Sequence, residues 1–303
     1  MFLNIMNKML RKSTLLSVSL VLLALSSQAS GSIVGYALGE NGNSLVSFNL
    51  NNPSATNSIQ IGDGNQQISA IDFRPATGDL IAYSNASNSY FTLNTNNGVL
   101  SAFDAMLADD PTDTNTLDID WNPTIDRMRL VSQTDSNIVF NPENGATTAV
   151  NELFYAAGDT NEGLNPSIVA NGYTNSFAGN LGGTTVQYAI DSDTDSLVTL
   201  ANNAGTLSTV GELGFDIGDM AGLDIFSGPI NGVGGQNIAY ALLNVADVSG
   251  LYTIDLNLGQ ASFIGNIGSG QMLNGLAITS VPAPAAIFLL LPGVLFLMRR
   301  SKT

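Results

Sequence analysis

The side chains best able to do chemistry in this sequence are aspartates, and their most regular spacing places Asp191, Asp193 and Asp195 on alternate residues between two apolar runs. Carboxylates in this pattern can converge on a hard cation, as they do in Ca²⁺ loops. Two features of such a loop are missing, because Ser196 replaces the glycine at the sixth position and Asn202 replaces the acid at the twelfth. Aspartate is also common in hairpin turns. We therefore expect either a calcium site or a solvated turn.

A second group of acids is dense enough to bind a cation or a sugar. Six aspartates crowd one connection and the strand after it: Asp104, Asp109, Asp110, Asp113, Asp118 and Asp120. Another long connection, 155–166, carries Asp159 and Glu162. Like charges at this density raise one another's pKa or require a cation. The alternatives are a shared cation or sugar site on one face of the fold and a solvated acidic loop.

Basic residues are rare between the two ends of the chain, where only Arg74, Arg127 and Arg129 occur against 25 acids. Each arginine is expected to pair with a carboxylate, the candidates being Asp72, Asp120 and Asp126. A site for an anionic ligand is the alternative. Nucleic acid is not an expected partner, because its binding depends on neutralising phosphates with Lys and Arg.

The chain has no cysteine and no histidine. Their absence excludes cysteine nucleophiles, disulfides, Cys/His zinc sites and Ser-His-Asp triads. Paired carboxylates remain, and these are the catalytic groups of glycosidases, but the spacing singles out no pair. We expect a non-enzymatic protein with no catalytic residue and no cofactor except calcium. A carboxylate-dependent glycoside hydrolase, or another polysaccharide-acting enzyme, is the alternative.

The elements that must position these groups are short strands. Runs of Val, Ile, Leu, Tyr and Phe recur between turn residues without a long helical period. They repeat in units of four strands about every 50 residues, which predicts an all-β fold with a single β-propeller over 30–280. The first unit has only three runs, and the missing one appears at 275–280. We expect five four-stranded blades, closed by pairing of this last strand with the N-terminal unit. A sandwich or an open solenoid is the alternative.

The N-terminus has the pattern of an export signal. A positively charged start precedes an apolar run over 15–25 and small residues up to Ala29. This pattern predicts a signal peptide over 1–29, with cleavage between Ala29 and Ser30 after passage through the secretion translocase. An uncleaved anchor is the alternative, although a span needs about 20 apolar residues.

The C-terminal segment, 281–303, has three parts. They are a proline-containing start (Val281, Pro282, Ala283, Pro284), an apolar run to Met298, and a basic end (Arg299, Arg300, Lys302). The apolar run predicts a transmembrane helix, and the basic residues are expected to hold its end on the cytoplasmic side of the inner membrane.

This tail resembles the PEP-CTERM sorting signals of Gram-negative bacteria, in the variant form Val-Pro-x-Pro-Ala-Ala. The commoner form has a glutamate where this chain has Ala283. The resemblance implies processing by an exosortase and delivery to the cell surface or the extracellular medium, with extracellular polysaccharide as a candidate partner. A plain C-terminal membrane anchor is the alternative.

The body resembles an uncharacterised family of secreted bacterial proteins, a domain of unknown function with propeller-like repeats. Among the segments that carry the resemblance are Tyr36-Ala37-Leu38, Ile71-Asp72-Phe73-Arg74-Pro75, Asp120-Trp121-Asn122-Pro123 and Gly250-Leu251-Tyr252-Thr253-Ile254. The resemblance implies the fold and an exported location, and no established activity comes with it.

Overall fold

The computed structural model describes residues 32–39, 41–103, 116–228 and 235–281. Several sequence predictions concern residues outside these ranges: the signal peptide with its Ala29–Ser30 cleavage site, the tail residues Pro282, Ala283, Pro284, Arg299, Arg300 and Lys302, and the acids Asp104, Asp109, Asp110 and Asp113. Within the described part of the chain, no helix is long and apolar enough to cross a bilayer.

The described residues form five sheets, which are the blades of a propeller. Blade 1 contains β1 (Ser32–Gly39), β2 (Ser44–Asn49) and β3 (Asn52–Gln60), together with the last strand of the body, β21 (Leu273–Val281). Blade 2 contains β4 (Ala70–Phe73), β5 (Leu80–Ser84), β6 (Ser89–Leu93) and β7 (Leu100–Ala102). Blade 3 contains β8 (Leu117–Asn122), β9 (Arg127–Ser132), β10 (Asn137–Phe140) and β11 (Thr147–Ala149).

The two remaining blades follow the same order. Blade 4 contains β13 (Ile168–Tyr173), β14 (Gln187–Asp191), β15 (Ser196–Leu200) and β16 (Thr206–Glu212), with a 3-10 helix, η1 (Asn202–Ala204), between the last two. Blade 5 contains β17 (Ala221–Phe226), β18 (Ile238–Val245), β19 (Val248–Ile254) and β20 (Ala261–Asn266). The predicted all-β propeller of five blades is confirmed.

Blade 4 has an additional strand that the sequence did not predict. The two-residue strand β12 (Phe154–Tyr155) pairs in parallel with β16, with Phe154 opposite Thr206 and Tyr155 opposite Leu207. Two residues are too few for a period-2 pattern to be read from sequence. This strand extends blade 4 to five strands.

Burial decreases from the centre of the ring to its rim. Each innermost strand packs against blades on both of its sides, so β8, β13 and β17 are buried at every residue. The outer strands β7 and β20 are mostly exposed. The apolar core is accordingly divided into five clusters, each formed by side chains of two adjacent blades. A stacked pair at the boundary of blades 2 and 3, Tyr90 and Phe140, has ring centroids 4.3 Å apart.

The ring closes through β21, as the sequence predicted for 275–280. This strand is hydrogen-bonded to β1 and is the innermost strand of blade 1. It also contacts the innermost strands of both neighbouring blades, β17 and β4. The side chain of Asn274 donates a hydrogen bond to the carbonyl of Ser69 in blade 2, at 3.2 Å. The two ends of the body are therefore joined within one blade.

The close approach of β17 and β21 can be tested by a substitution at Gly222. A Cβ at Gly222 would lie 2.4 Å from the backbone carbon of Gly275 and 2.4 Å from the nitrogen of Leu276. We expect Gly222→Ala to lower the free energy of unfolding by about 1–3 kcal/mol, because β17 and β21 must separate. Gly218→Ala is the matched control, since an added Cβ there would meet its nearest atom at 3.6 Å. Urea unfolding of both variants measures the difference, and equal stabilities would contradict the close packing of these two strands.

Candidate functional site

Three buried aspartates meet at the centre of the ring. Asp72, Asp120 and Asp224 lie on the innermost strands β4, β8 and β17, and each offers a carboxylate oxygen within 4.8 Å of those of the other two. Their exposed fractions are only 4%, 3% and 7%. Among the described residues, this is the one group of three metal-ligating side chains so close together. We call these three residues the channel trio.

The strand geometry explains why these side chains reach the centre. Successive side chains of a strand point to opposite faces. Ile71 packs in the cluster between blades 1 and 2, whereas Asp72 accepts the backbone N–H of Trp121 in blade 3 at 3.1 Å. At another boundary, Asp224 accepts the backbone N–H of Ile278. Asp72 and Asp224 are therefore held in place by backbone donors from neighbouring blades.

A fourth aspartate, Asp118, lies two residues before Asp120 on β8 and is 2% exposed. Its Oδ2 atom accepts the backbone N–H of Asn171 at 2.9 Å. It contributes further negative charge, since its electrostatic repulsion raises the pKa of both Asp72 and Asp120.

Burial raises the pKa of every carboxyl in this cluster, because the protein interior disfavours the charged form. For Asp72 and Asp120 the pKa lies well above the usual range, first through loss of hydration and then through repulsion from neighbouring aspartates. Burial likewise raises the pKa of Asp118, and it raises that of Asp224 to about 7. Protons or a cation would therefore stabilise this cluster.

The arginines of the body do not neutralise this charge. Arg74 pairs with Asp126, with its Nε atom 2.9 Å from Oδ1, and Arg127 pairs with Glu143 at 3.3 Å. The predicted pairing with carboxylates is confirmed for these two arginines. Arg74 also lies over the ring of Trp121, 5.1 Å from its centroid.

Arg129 differs from the prediction, because its described partners are neutral. Its guanidinium donates to the hydroxyl of Tyr173 at 3.1 Å and to the side-chain oxygens of Asn137 and Asn203 at 2.5 and 2.8 Å. The side chain is 4% exposed, so these bonds satisfy a buried cation at the boundary of blades 3 and 4. Sequence spacing alone could not predict that amide and hydroxyl oxygens would be its partners instead of carboxylates.

A cavity of about 310 Å³ leads to two members of the trio. The described residues that line it lie at the carboxyl ends of β4, β17 and β21 and in the loop after β13. They include Asp72, Arg74, Phe177, Asp224 and Thr279. A small ion or molecule can therefore approach Asp72 and Asp224 from one end of the ring.

Most of the body of the chain matches one known family. Residues 44–277 match the family described as "Domain of unknown function (DUF4394)". The chain belongs to this family. No curated protein matches the sequence.

Two solved structures match this DUF4394 protein at low sequence identity. One is a chain of a nidogen/laminin complex, with 10% identity and a TM-score of 0.47, where the match covers 82% of this chain and 98% of the other. Another is an auxiliary nutrient binding protein from Bacteroides ovatus ATCC 8483, with 15% identity and a TM-score of 0.36. That match covers 58% of the DUF4394 protein and 43% of the other chain.

The alternating aspartates predicted as a calcium loop occupy the β14–β15 turn of the DUF4394 domain. Asp191 is fully buried, and its Oδ1 accepts the backbone N–H groups of Ser167 at 3.2 Å and Asp193 at 2.9 Å. Its Oδ2 accepts the hydroxyl of Tyr155. Asp195 accepts the backbone N–H of Ile217 at 2.9 Å, whereas Asp193 is exposed. Two of these carboxylates thus hold the turn together, and the three oxygens do not converge as those of the trio do.

The structure also separates the acids that the sequence placed in one acidic region. Asp118 and Asp120 lie inside the ring rather than on a surface loop. Asp159 accepts both the backbone N–H and the hydroxyl of Thr209, each at 2.7 Å, and Glu162 accepts the backbone N–H of Gly158 at 2.7 Å. These two acids therefore stabilise the connection after β12 and do not join the channel trio.

Sequence reasoning missed Asp224 and the convergence of the trio. A signal was present, because each member stands between two apolar residues in the first strand of its repeat, as in Ile71-Asp72-Phe73, Ile119-Asp120-Trp121 and Leu223-Asp224-Ile225. A charged residue at a repeated, fully apolar position indicates a buried role.

The raised pKa values predict a pH dependence for protein treated with a chelator. A carboxyl whose pKa is higher in the folded state stabilises the fold fully below its unfolded pKa, and this stabilisation is lost as pH rises through the folded pKa. Thermal unfolding should therefore show a lower Tm at about pH 8 than at about pH 5. Asp224→Asn removes a group with a pKa of about 7 and should reduce this slope. An unchanged slope would contradict titration of Asp224 in this range.

Substitution of Asp191 tests whether its role is structural. Asp191→Ala leaves three backbone N–H groups and the Tyr155 hydroxyl without their acceptor and should destabilise the domain by about 3–5 kcal/mol. Asp193→Ala, the matched control on the same turn, should change stability by no more than about 0.5 kcal/mol. Urea unfolding in chelator and in millimolar Ca²⁺ measures both. A loss at Asp191 that appears only with Ca²⁺ present would indicate a calcium loop instead.

Proposed function

We propose that this DUF4394 protein is an exported, non-enzymatic component of the cell surface or extracellular matrix of a Gram-negative bacterium. That the protein is not an enzyme is inferred from the burial of the channel trio. This trio is the one place where three described carboxylates converge. Other acids have structural partners: Asp126 and Glu143 pair with arginines. Backbone N–H groups donate to Asp159, Glu162, Asp191 and Asp195. The propeller then acts as a rigid scaffold for binding or assembly.

The export route is inferred from the two ends of the sequence. The N-terminal pattern suits the secretion translocase and signal peptidase, with cleavage between Ala29 and Ser30. The C-terminal layout suits insertion into the inner membrane, followed by recognition of Val281-Pro282-Ala283-Pro284 by an exosortase-type enzyme. The propeller ends with β21 at Val281, so the sorting segment follows the folded body directly.

The distances within the trio argue against glycoside hydrolysis. The two carboxyl groups of a retaining glycosidase lie about 5–5.5 Å apart, and those of an inverting enzyme about 6.5–9.5 Å apart. The oxygens of the trio lie within 4.8 Å of one another, and the three residues are at most 7% exposed, which leaves little of their surface for a sugar to contact. Both oxygens of Asp72 already accept backbone N–H groups, from Phe73 and Trp121.

A polysaccharide-acting enzyme is the second candidate, and one observation favours it. Asp224 lines the cavity, and its pKa of about 7 is that of a general acid at neutral pH. If it is catalytic, the purified body should release sugars continuously from the organism's own polysaccharide, and Asp224→Asn should abolish the release. We expect no release from either protein. Sustained product formation by the unmodified protein alone would establish the enzyme.

The acidic body favours cationic or neutral partners outside the cell. Extracellular polysaccharide is the proposed partner. Nucleic acid is not, because the body contains only three arginines and has 25 acids.

Removal of the tail tests the proposed sorting. A chain that lacks 282–303 keeps all of β21 and should still fold, yet it should be released instead of reaching the surface. Ser301→Ala, which leaves the three parts of the tail intact, is the matched control. Fractionation of cells with and without an exosortase measures the location. Identical location of the truncated and full-length chains would overturn the sorting proposal without affecting the fold.

A further inference from the structure

We propose that Asp72, Asp120 and Asp224 bind one divalent cation of the Ca²⁺ type at the centre of the propeller, so that the ion connects blades 2, 3 and 5. This inference does not depend on where the protein is delivered. The proposed site is distinct from the β14–β15 turn, because its three residues lie on β4, β8 and β17.

The separation of the oxygens suits a single calcium ion. Ca²⁺ binds oxygen at about 2.3–2.6 Å, so two of its ligands can lie no more than about 4.6–5.2 Å apart. All three oxygens of the trio meet this condition, since they lie within 4.8 Å of one another. They come from three different strands, which allows them to surround an ion rather than lie on one side of it.

The chemistry of the donors selects a hard cation. The site offers carboxylate oxygen, and the chain contains no histidine or cysteine that could add a softer ligand. Carboxylates suit Mg²⁺, Ca²⁺ and Mn²⁺, whereas sites for zinc usually include nitrogen or sulfur. Mg²⁺ demands shorter bonds and near-ideal octahedral geometry, so the wider limits of Ca²⁺ fit the trio better.

A separate observation points to a ligand at this position. The Oδ1 atom of Asp120 is buried and has no hydrogen-bond partner among the described residues, although the side chain is only 3% exposed. Buried polar atoms nearly always have a partner, and a carboxylate oxygen without one is costly. A cation bound by the trio supplies that partner.

The negative charge around the trio also favours a bound cation. Asp118 adds a fourth buried carboxylate close to the trio, and the arginines of the body are bound elsewhere. Buried carboxylates that lack a compensating charge are unfavourable, and a divalent ion bound by the trio would supply that charge. The cavity beside Asp72 and Asp224 gives the ion access.

The test uses the purified full chain, stripped with a chelator and then titrated with Ca²⁺ alone. Trp121 is the single tryptophan of the chain, and its backbone N–H binds Asp72, so its fluorescence reports on the site. We expect a saturable fluorescence change and a rise in Tm of about 5–10 °C at saturating Ca²⁺. Mg²⁺ at the same concentration should have a smaller effect.

Two variants locate the ion. Asp120→Asn and Asp224→Asn should each weaken Ca²⁺ binding at least about tenfold, because each removes a charged ligand. In chelator both should be as stable as the unmodified protein or more so, since a buried charge is removed. Asp193→Asn, on the exposed turn, is the matched control and should bind Ca²⁺ normally.

The outcomes separate the proposal from its alternatives. If Ca²⁺ changes neither Tm nor fluorescence of the unmodified chain, the trio holds protons only and the proposal is overturned. If Ca²⁺ stabilises Asp120→Asn and Asp224→Asn as much as the unmodified chain, the ion binds elsewhere and the proposal is equally overturned. Loss of binding in both variants, with normal binding in Asp193→Asn, supports it.

Discussion

The innermost strands of the propeller share one constraint, which is that each lies at the edge of its own sheet. β4, β8, β13, β17 and β21 each have a sheet neighbour on one side only. Their remaining backbone N–H groups are buried at the centre of the ring and need acceptors. Aspartates of adjacent blades provide them, as Asp72 does for Trp121, Asp118 for Asn171 and Asp224 for Ile278. These bonds connect blades that no sheet ladder joins.

This solution has an electrostatic consequence. Carboxylates are strong acceptors, but burial makes their charge unfavourable, and several of them converge because the ring is small. The position where the blades are tied together is therefore also the position where negative charge must be neutralised. Protons and a cation are the two means, and the choice between them decides how the stability of the propeller responds to pH and to metal ions.

The rest of the fold accommodates this centre by dividing the core. Five apolar clusters fill the boundaries between blades, and each contains side chains from both neighbours. No blade buries its faces alone, so closure by β21 completes the boundaries on both sides of blade 1. The repeats thus form one ring in which the first and last strands of the described body, β1 and β21, pair within one blade.

The sequence by itself determined the strand repeat, the number of blades and the strand that closes the ring, because alternation, turn residues and the incomplete first unit are local patterns. It also determined which chemistries are absent. Only the tertiary structure decided which carboxylates meet. Asp72, Asp120 and Asp224 lie far apart in sequence and converge because three innermost strands face one axis, and one oxygen of Asp120 keeps no hydrogen-bond partner among the described residues. Both oxygens of the regularly spaced Asp191, in contrast, accept backbone or hydroxyl donors. Spacing along a chain cannot reveal whether the lone pairs of a carboxylate are free, since that depends on residues brought near by the fold.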